Sequence, residues 1–302
     1  MNRILLTAIR HRACGLAARL LLLSGRARRA KRRLLEQGDI TGIYFHNPRP
    51  DLFLDCVVWL KEQGCTFLSG RQVLEILRDG AAVPAGAVWL SFDDAYEEWA
   101  RTVVPVAREH KALVTLFVPS GVVAGDGLFP WIHDAGYRSE DPVEKPVNGK
   151  PAGVREALTP EQIGEMARYP EVEIGGHTVN HKVMTLCTDD ELVAEVAGCK
   201  RTLEAWTGTE VNLFAYPAGR HDDRSQRVLR AHGFELAATT EPRLIGRNAD
   251  PLLIPRICVP DEVTLPEAIC RMLGIWDPFM DRVRGALHRW RGGPANLRRR
   301  PA

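Results

Sequence analysis

Two adjacent carboxylates, Asp93 and Asp94, close an apolar run in LSFDDAYEEW, and two imidazoles, His177 and His181, stand four positions apart in GGHTVNHKVM. A His-x3-His spacing predicts both rings on one side of a helical turn, where two nitrogens can hold a divalent ion. Gly175 and Gly176 would let the backbone turn closely into that loop. A third ligand has to come from another element, and Asp94 is the candidate. The set leaves coordination positions for water and substrate. Asp93 then has a use of its own, because water activated by a cation needs an acceptor for its proton, and a neighbouring carboxylate off the ion serves as general base. The competing reading is structural: two solvated turn aspartates that cap a helix beginning near Glu97.

The chain must supply elements that bring these residues together. Strand-like runs cover 42–47, 87–92, 112–119, 171–177, 211–217 and 234–240, with a further strand near Leu253. Helix-like segments cover 51–64, 71–80, 97–110 (with a kink expected at Pro105), 189–208 and 223–233. Alternation repeated at least six times predicts a parallel sheet, open or closed into a barrel. Functional residues of such folds gather at the C-terminal ends of strands. That rule collects His46, Asp93 and Asp94, His177, the loop YPAGRHDD that begins at Tyr216, and Arg256. In that loop His221, Asp222 and Asp223 read as a helix cap in preference to substrate contacts. Between residues 120 and 158 the periodicity disappears, and the aromatics Phe129, Trp131 and Tyr137 favour a lid or substrate wall there.

SFDDAY, HTVNH and FAYPAG resemble three signature motifs of the polysaccharide deacetylases, the family four carbohydrate esterases with the NodB-homology domain, whose motifs read TFDDG, H-(S/T)-x-x-H and, in one branch, a YPYG-type loop. The resemblance spans roughly residues 40 to 275. It implies an α/β fold, a distorted (β/α)7 barrel of the NodB-homology type, and metal-dependent hydrolysis of an N-acetyl amide on a sugar. The implied ion is divalent, zinc foremost, with cobalt, nickel and manganese as alternatives. By motif position Asp93 is the base, Asp94, His177 and His181 are the ligands, and Thr178 steadies the histidine loop by hydrogen bonding. The family's late histidine acid has no match here, since nothing after Arg256 resembles that motif and His288 lies in a basic tail. One branch, which includes the poly-N-acetylglucosamine deacetylases of biofilms, places the acid early, in a strand reading LxYHxV. GIYFHNP is similar to that form and makes His46 the implied acid, while Arg256 in IPRICVP resembles the arginine that orients the base. Tyr216 and Ala218 fall in the loop that lines the sugar and holds the oxyanion. There Ala218 replaces an aromatic ring but keeps a backbone N–H. Ala95 replaces the glycine after the aspartates, a mild change if φ there is negative.

The implied partner is an acetylated amino-sugar glycan or glycolipid. A deformylase or other small-amide hydrolase on the same scaffold, and a catalytically silent glycan-binding module, are the competing functions. Bulk properties constrain the setting. From Met1 to Arg33 there are ten Lys or Arg and no acid, and a second basic stretch runs from Arg282 to Arg300. The first 33 residues are a poor signal peptide and too short in clean apolar run to span a bilayer. They fit an amphipathic basic helix at an anionic membrane surface, with a packed or disordered leader as the alternative. Few aromatics in either arm argue against nucleic acid. Seven scattered cysteines without a CxxC pair argue against disulfides and cysteine metal sites, and for a reducing compartment. The expected organisation is therefore a basic segment over 1–39, a deacetylase domain over 40–275 with the 120–158 insertion, and a basic tail over 276–302. The expected location is cytoplasmic, peripheral at the inner face of the bacterial membrane.

Overall fold

AVWLSFD shows no alternation of apolar and polar residues, the pattern of a strand covered on both faces, and it forms β3 (Ala87–Asp93), buried at every position. The computed structural model describes residues 3–36, 38–125, 129 and 157–290, with side chains described between 10 and 285. Parallel neighbours β1 (Thr41–Phe45), β4 (Val114–Val118), β5 (Val172–Gly176), β6 (Leu213–Ala215) and β7 (Leu236–Ala238) extend the sheet in the order β7-β6-β5-β4-β3-β1. The short β2 (Thr66–Leu68) pairs with the start of β3. The sheet curls until its ends nearly meet: Ile254 bridges Ala238 of β7, and three residues later β8 (Ile257–Cys258) pairs with β1. This is the distorted (β/α) barrel, with its last wall reduced to a few residues.

Alternation along β3 sorts the core into two parts. Trp89, Ser91 and Asp93 face the lumen, where Trp89 and Phe117 pack with Leu213, Leu236 and Ile254. Val88, Leu90 and Phe92 face the core covered by the helices α3 (Pro50–Glu62) and α5 (Val103–His110), while α8 (Asp189–Thr207) packs on β5. At the floor of the barrel Glu173 accepts from Thr115 Oγ1 (2.9 Å) and from the Gly70 and Arg71 amides (2.7 and 3.1 Å), which satisfies the first turn of α4 (Gly70–Asp79).

Several local expectations need correction. Pro105 does not kink a long helix, because residues 97–110 split into a 3-10 turn (Glu97–Ala100) and α5, and Pro105 sits in the first turn of α5, where its missing N–H has no helical partner to lose. The 120–158 stretch opens with a short helix, α6 (Ser120–Ala124). Of its aromatics only Phe129 is described, fully buried against Tyr96, while Trp131 and Tyr137 and the lid reading attached to them lie outside the described residues. Ala157, bridged to Tyr96, leads into α7 (Pro160–Met166). The basic leader forms two helices, α1 (Arg3–Leu22) and α2 (Gly25–Glu36). The first packs Ala18 and Leu21 against Cys270 of α10 (Leu265–Met272) and Trp276 of α11 (Trp276–Trp290). Among the described residues no helix is long and apolar enough to cross a membrane.

Candidate active site

Strand register places the site. In adjacent strands Asp93 pairs with Phe117, and Phe117 with Gly175. Just past the ends of β3 and β5 both outer chains are tied to the same central strand: Asp94 N–H donates to the Phe117 carbonyl (3.2 Å) and His177 N–H to the Val118 carbonyl (3.1 Å). β4 is thus the common ruler that brings Asp94 and His177 to the same rim, one residue apart in register. Gly175 is required for close approach rather than for a turn, since a Cβ there would stand 2.6 Å from the Phe117 ring.

The histidine loop is not helical. Thr178 (φ 63°) and His181 (φ 54°) are left-handed, and this irregular path, not a helical turn, carries the two imidazoles to one place. Their ring centroids lie 4.8 Å apart. His177 Nδ1 lies 2.7 Å from the Ala215 carbonyl, which fixes that nitrogen as the N–H and turns the Nε2 lone pair to the cleft. The Asp94 Oδ1 atom stands 3.5 Å from His177 Nε2 and 3.2 Å from His181 Nε2. It is buried without a well-directed hydrogen bond. An orphaned buried carboxylate oxygen facing two imidazole nitrogens, with the ligand atoms all within 4.8 Å of one another, fits a divalent cation well. Burial opposes ionisation of Asp94, yet the two histidines hold its carboxyl far below the usual range.

Asp93 takes the other direction. Arg256, fully buried, donates from Nη1 and Nη2 to its two oxygens at 2.8 Å each, from Nη1 to Ser91 Oγ (2.9 Å) and from Nε to the Thr239 carbonyl (3.2 Å). The guanidinium also lies over the Tyr44 ring, 4.5 Å from its centroid. Burial pushes the Asp93 carboxyl up, but the charge and hydrogen bonds of Arg256 outweigh it and keep the group ionised. Neither aspartate caps a helix: the following 3-10 turn has Tyr96 at its cap position and no side-chain cap.

A cleft of ≈ 410 Å³ is lined by His46, Asp93, Asp94, His177, His181 and Ala218, together with Tyr44, Tyr96 and Thr240. The structure therefore brings His46 and Ala218 to the same opening as the carboxylates and imidazoles, with Arg256 directly behind Asp93. Tyr216 stands apart from them. It is buried, its amide donates to the Ala238 carbonyl (3.0 Å), its hydroxyl to the Leu252 carbonyl (3.1 Å), and its ring packs on Phe214 and His221. With both donors engaged it supports the loop from behind. Asp222 caps α9 (Asp223–Ala231) through Ser225.

Thr178 does not steady the histidine loop by its hydroxyl, which has no hydrogen-bond partner among the described residues. Asn180 does so instead: its amide and side chain donate to the two oxygens of Glu195 at 2.8 and 2.7 Å. Glu195 is buried on α8 among Leu192, Val196 and Cys199. A lone acid on the apolar stripe of ELVAEVAGC was the available signal for this clamp, and the sequence reading passed over it.

A curled parallel sheet carries, at its C-terminal rim, a His-His-Asp cluster able to hold a cation beside a clamped carboxylate, an arrangement suited to hydrolysis. The family description "polysaccharide deacetylase" matches residues 80–237, and the chain belongs to that family of hydrolases acting on carbon–nitrogen bonds. Among curated relatives, a protein of Bacillus subtilis named as a polysaccharide deacetylase, YxkH, is 22% identical over 67% of this chain, and the match spans 61% of that relative's length. The poly-beta-1,6-N-acetyl-D-glucosamine N-deacetylase of Staphylococcus aureus is 20% identical over 75% of this chain and 70% of its own. Among solved structures, the Streptococcus pyogenes deacetylase PplD in complex with acetate superposes with a TM-score of 0.62 at 21% identity, covering 78% of this chain and 98% of that one. IcaB from Ammonifex degensii gives 0.62 at 18% identity, covering 78% and 97%. Both share the fold.

Proposed function

We propose that the protein is a metal-dependent deacetylase that hydrolyses the N-acetyl group of an amino sugar in a glycan or a lipid-linked glycan. One observation carries the reading: Asp94, His177 and His181 converge beside an Asp93 that Arg256 holds ionised. The ligand set suits zinc, with cobalt, nickel or manganese as alternatives. Such an ion, when bound, supplies Lewis-acid polarisation and a lowered pKa for water. The protein's own groups do the rest. Both Asp93 oxygens accept from Arg256 and each retains a lone pair, so the carboxylate can take a proton from the attacking water without leaving its clamp. His46, in the same cleft, gives a proton to the departing nitrogen. The Ala218 N–H, presented at the rim by a left-handed backbone (φ 55°), stabilises the developing oxyanion.

The relative named for poly-beta-1,6-N-acetyl-D-glucosamine supports an N-acetylglucosamine-type sugar. Leu16 and Leu20 of α1, and Leu23 in the turn that follows it, are 61%, 62% and 80% exposed beside the arginines of α1 and α2. They support contact with an anionic membrane surface, and hence a membrane-borne glycan. Seven free thiols, four of them buried, support a cytoplasmic setting at the inner face.

The test is mass spectrometry of acetylated and formylated amino sugars incubated with the protein. Loss of one acetyl group, abolished by a chelator, is the expected result, and preferential loss of formyl would replace the reading with a deformylase. Asp93→Asn should lower kcat by about 10²–10⁴-fold while elemental analysis finds the ion retained. Full activity of that variant, or of chelated protein, would refute the mechanism.

A further inference from the structure

A groove of ≈ 950 Å³ opens between α1, α10 and α11, larger than the active-site cleft and sharing no lining residue with it. Its walls divide by chemistry. Cys14, Val263, Trp276 and Met280 are apolar, while Arg10, Arg49, Arg271 and Arg284 bring four guanidinium groups. Arg271 is committed to Glu267 (2.8 Å) and Asp277 (3.5 Å). The Arg284 pair with Asp281 is solvent-exposed on both sides and weak for that reason. Arg49 Nε, 3.4 Å from Asp51 Oδ1, is out of solvent and makes no hydrogen bond among the described residues. The same is true of His11 Nε2 on the α1 wall. Arg49 Nε–H thus has an ion pair but no hydrogen bond, and His11 Nε2 is a buried ring nitrogen without one; a bound phosphate oxygen would accept from the first, and from the second when it carries the proton.

From this geometry we infer that the groove binds an anionic amphiphile, a phosphate head on a hydrocarbon chain. The arginines Arg10, Arg49 and Arg284 present the fork geometry that phosphate oxygens accept, and the apolar wall takes the chain. A bare polyanion would leave the half-buried Cys14 and Met280 unused, and a neutral lipid would leave the guanidinium groups unused. Three acids also line the groove: Glu267 and Asp277, both engaged by Arg271, and exposed Glu262, which the head must avoid. The position relative to the active site adds to the case. The loop after β1 turns His46 into the cleft and, three residues later, Arg49 into the groove. Asp261 holds that loop by accepting from the Asn47 amide at 2.9 Å. One loop therefore forms the common wall, and a phosphate-linked sugar would straddle it with its sugar in the cleft. The inference deepens the lipid-linked-glycan reading, but the binding it asserts does not require hydrolysis.

Titration calorimetry of the full chain with decyl phosphate below its micellar concentration tests this. One ligand should bind per chain, about tenfold or more tighter than inorganic phosphate and than decyl maltoside, which carries the same tail on a neutral head. Each methylene taken from water is worth about fourfold in affinity, so hexyl phosphate should bind at least about tenfold more weakly than decyl phosphate. The double variant Arg10→Ala/Arg284→Ala alters two exposed side chains and should weaken decyl phosphate binding about tenfold or more, with an unchanged thermal midpoint. Equal binding of decyl maltoside, equal binding of inorganic phosphate, competition by an oligonucleotide at equal affinity, or insensitivity to the double variant would each overturn the proposal. Repeating the titration on Asp93→Asn separates the two readings. Binding that persists while no sugar is deacetylated by the wild type would leave the groove standing and remove the enzyme, and activity without binding would do the reverse.

Discussion

Ala95 holds its methyl group at φ 60°, a conformation that costs a Cβ-bearing residue about 1–2 kcal/mol. The condition under which alanine would be a mild replacement for glycine, a negative φ, is not met. Among the described residues five of the six non-glycine positions with positive φ lie in the site's loops: Asp94, Ala95, Thr178, His181 and Ala218. Strain concentrated at one place indicates that the surrounding structure holds these loops against their local preference. Ala95→Gly removes that strain, loses a buried methyl worth about 0.8 kcal/mol and gains about 0.5–1 kcal/mol of unfolded-state entropy. The net change should lie within about 1 kcal/mol of zero. Ala107→Gly, equally buried but inside α5, should cost about 2 kcal/mol, because helix propensity and the lost methyl act together. Urea unfolding of the two variants gives the comparison, and equal costs would show that Ala95 is not strained. Glu195 acts on the ligands through Asn180. Glu195→Gln replaces one acceptor with an amide donor facing another donor. The loosened loop should lose about 10–100-fold in metal affinity by competition with a chelating dye, whereas an unchanged affinity would mean that Asn180 needs no anchor.

The elements were legible where burial imposes a pattern. Runs such as AVWLSF and ALVTLF are apolar throughout, short and set between turn residues, which reads as a strand covered on both faces, so β1, β3, β4, β5, β6 and β7 appear within two residues of their expected ends. The strands that were missed or misplaced are the short ones. β2 has three residues with one buried, and β8 has two residues that begin after Arg256 rather than before it. So few residues carry no period, and only pairing with β3 and β1 defines them. The ligand residues were legible by type and spacing, but the path of their loop was not, because left-handed residues are set by tertiary contacts and leave no local signal in Thr or His. The leader shows a different limit. Its leucines and arginines mark an amphipathic helix, but nothing in the pattern says which surface takes the leucines. In the structure Ala18 and Leu21 are buried against α10 and α11, and Cys270 Sγ lies 3.5 Å from the Ala18 carbonyl. Ala18→Leu should therefore overpack that seam and cost about 1–3 kcal/mol in urea unfolding. No change would mean that α1 does not stay docked in solution.

At the scale of the whole molecule, α1 separates two environments. Its inner side closes against α10 and α11, and its outer side leaves Leu16 and Leu20 exposed at i and i+4, with Leu23 continuing that face in the turn beyond, where its amide still donates to the Arg19 carbonyl (3.3 Å). The formal charge of the chain is only +2, so any attraction to an anionic surface has to come from where the charge sits: α2, next in sequence, carries six Arg or Lys and one acid. Burying a leucine fully is worth about 1.5–3 kcal/mol, and each basic residue near an anionic bilayer adds about 1 kcal/mol. Part of each gain is already realised in the folded protein, but three leucines together still supply enough to distinguish insertion from simple charge attraction. If the face inserts as proposed, the protein should sediment with anionic vesicles. Half-molar salt should weaken that binding without eliminating it, since screening removes the charge contribution and leaves the apolar one. Leu16→Gln/Leu20→Gln/Leu23→Gln should lower the vesicle partition coefficient at least about tenfold at low salt, with little loss of stability because the replaced side chains are already in water. A triple variant that binds vesicles as well as the wild type, with all binding lost in high salt, would reduce the contact to electrostatics and leave the leucine face without a membrane role.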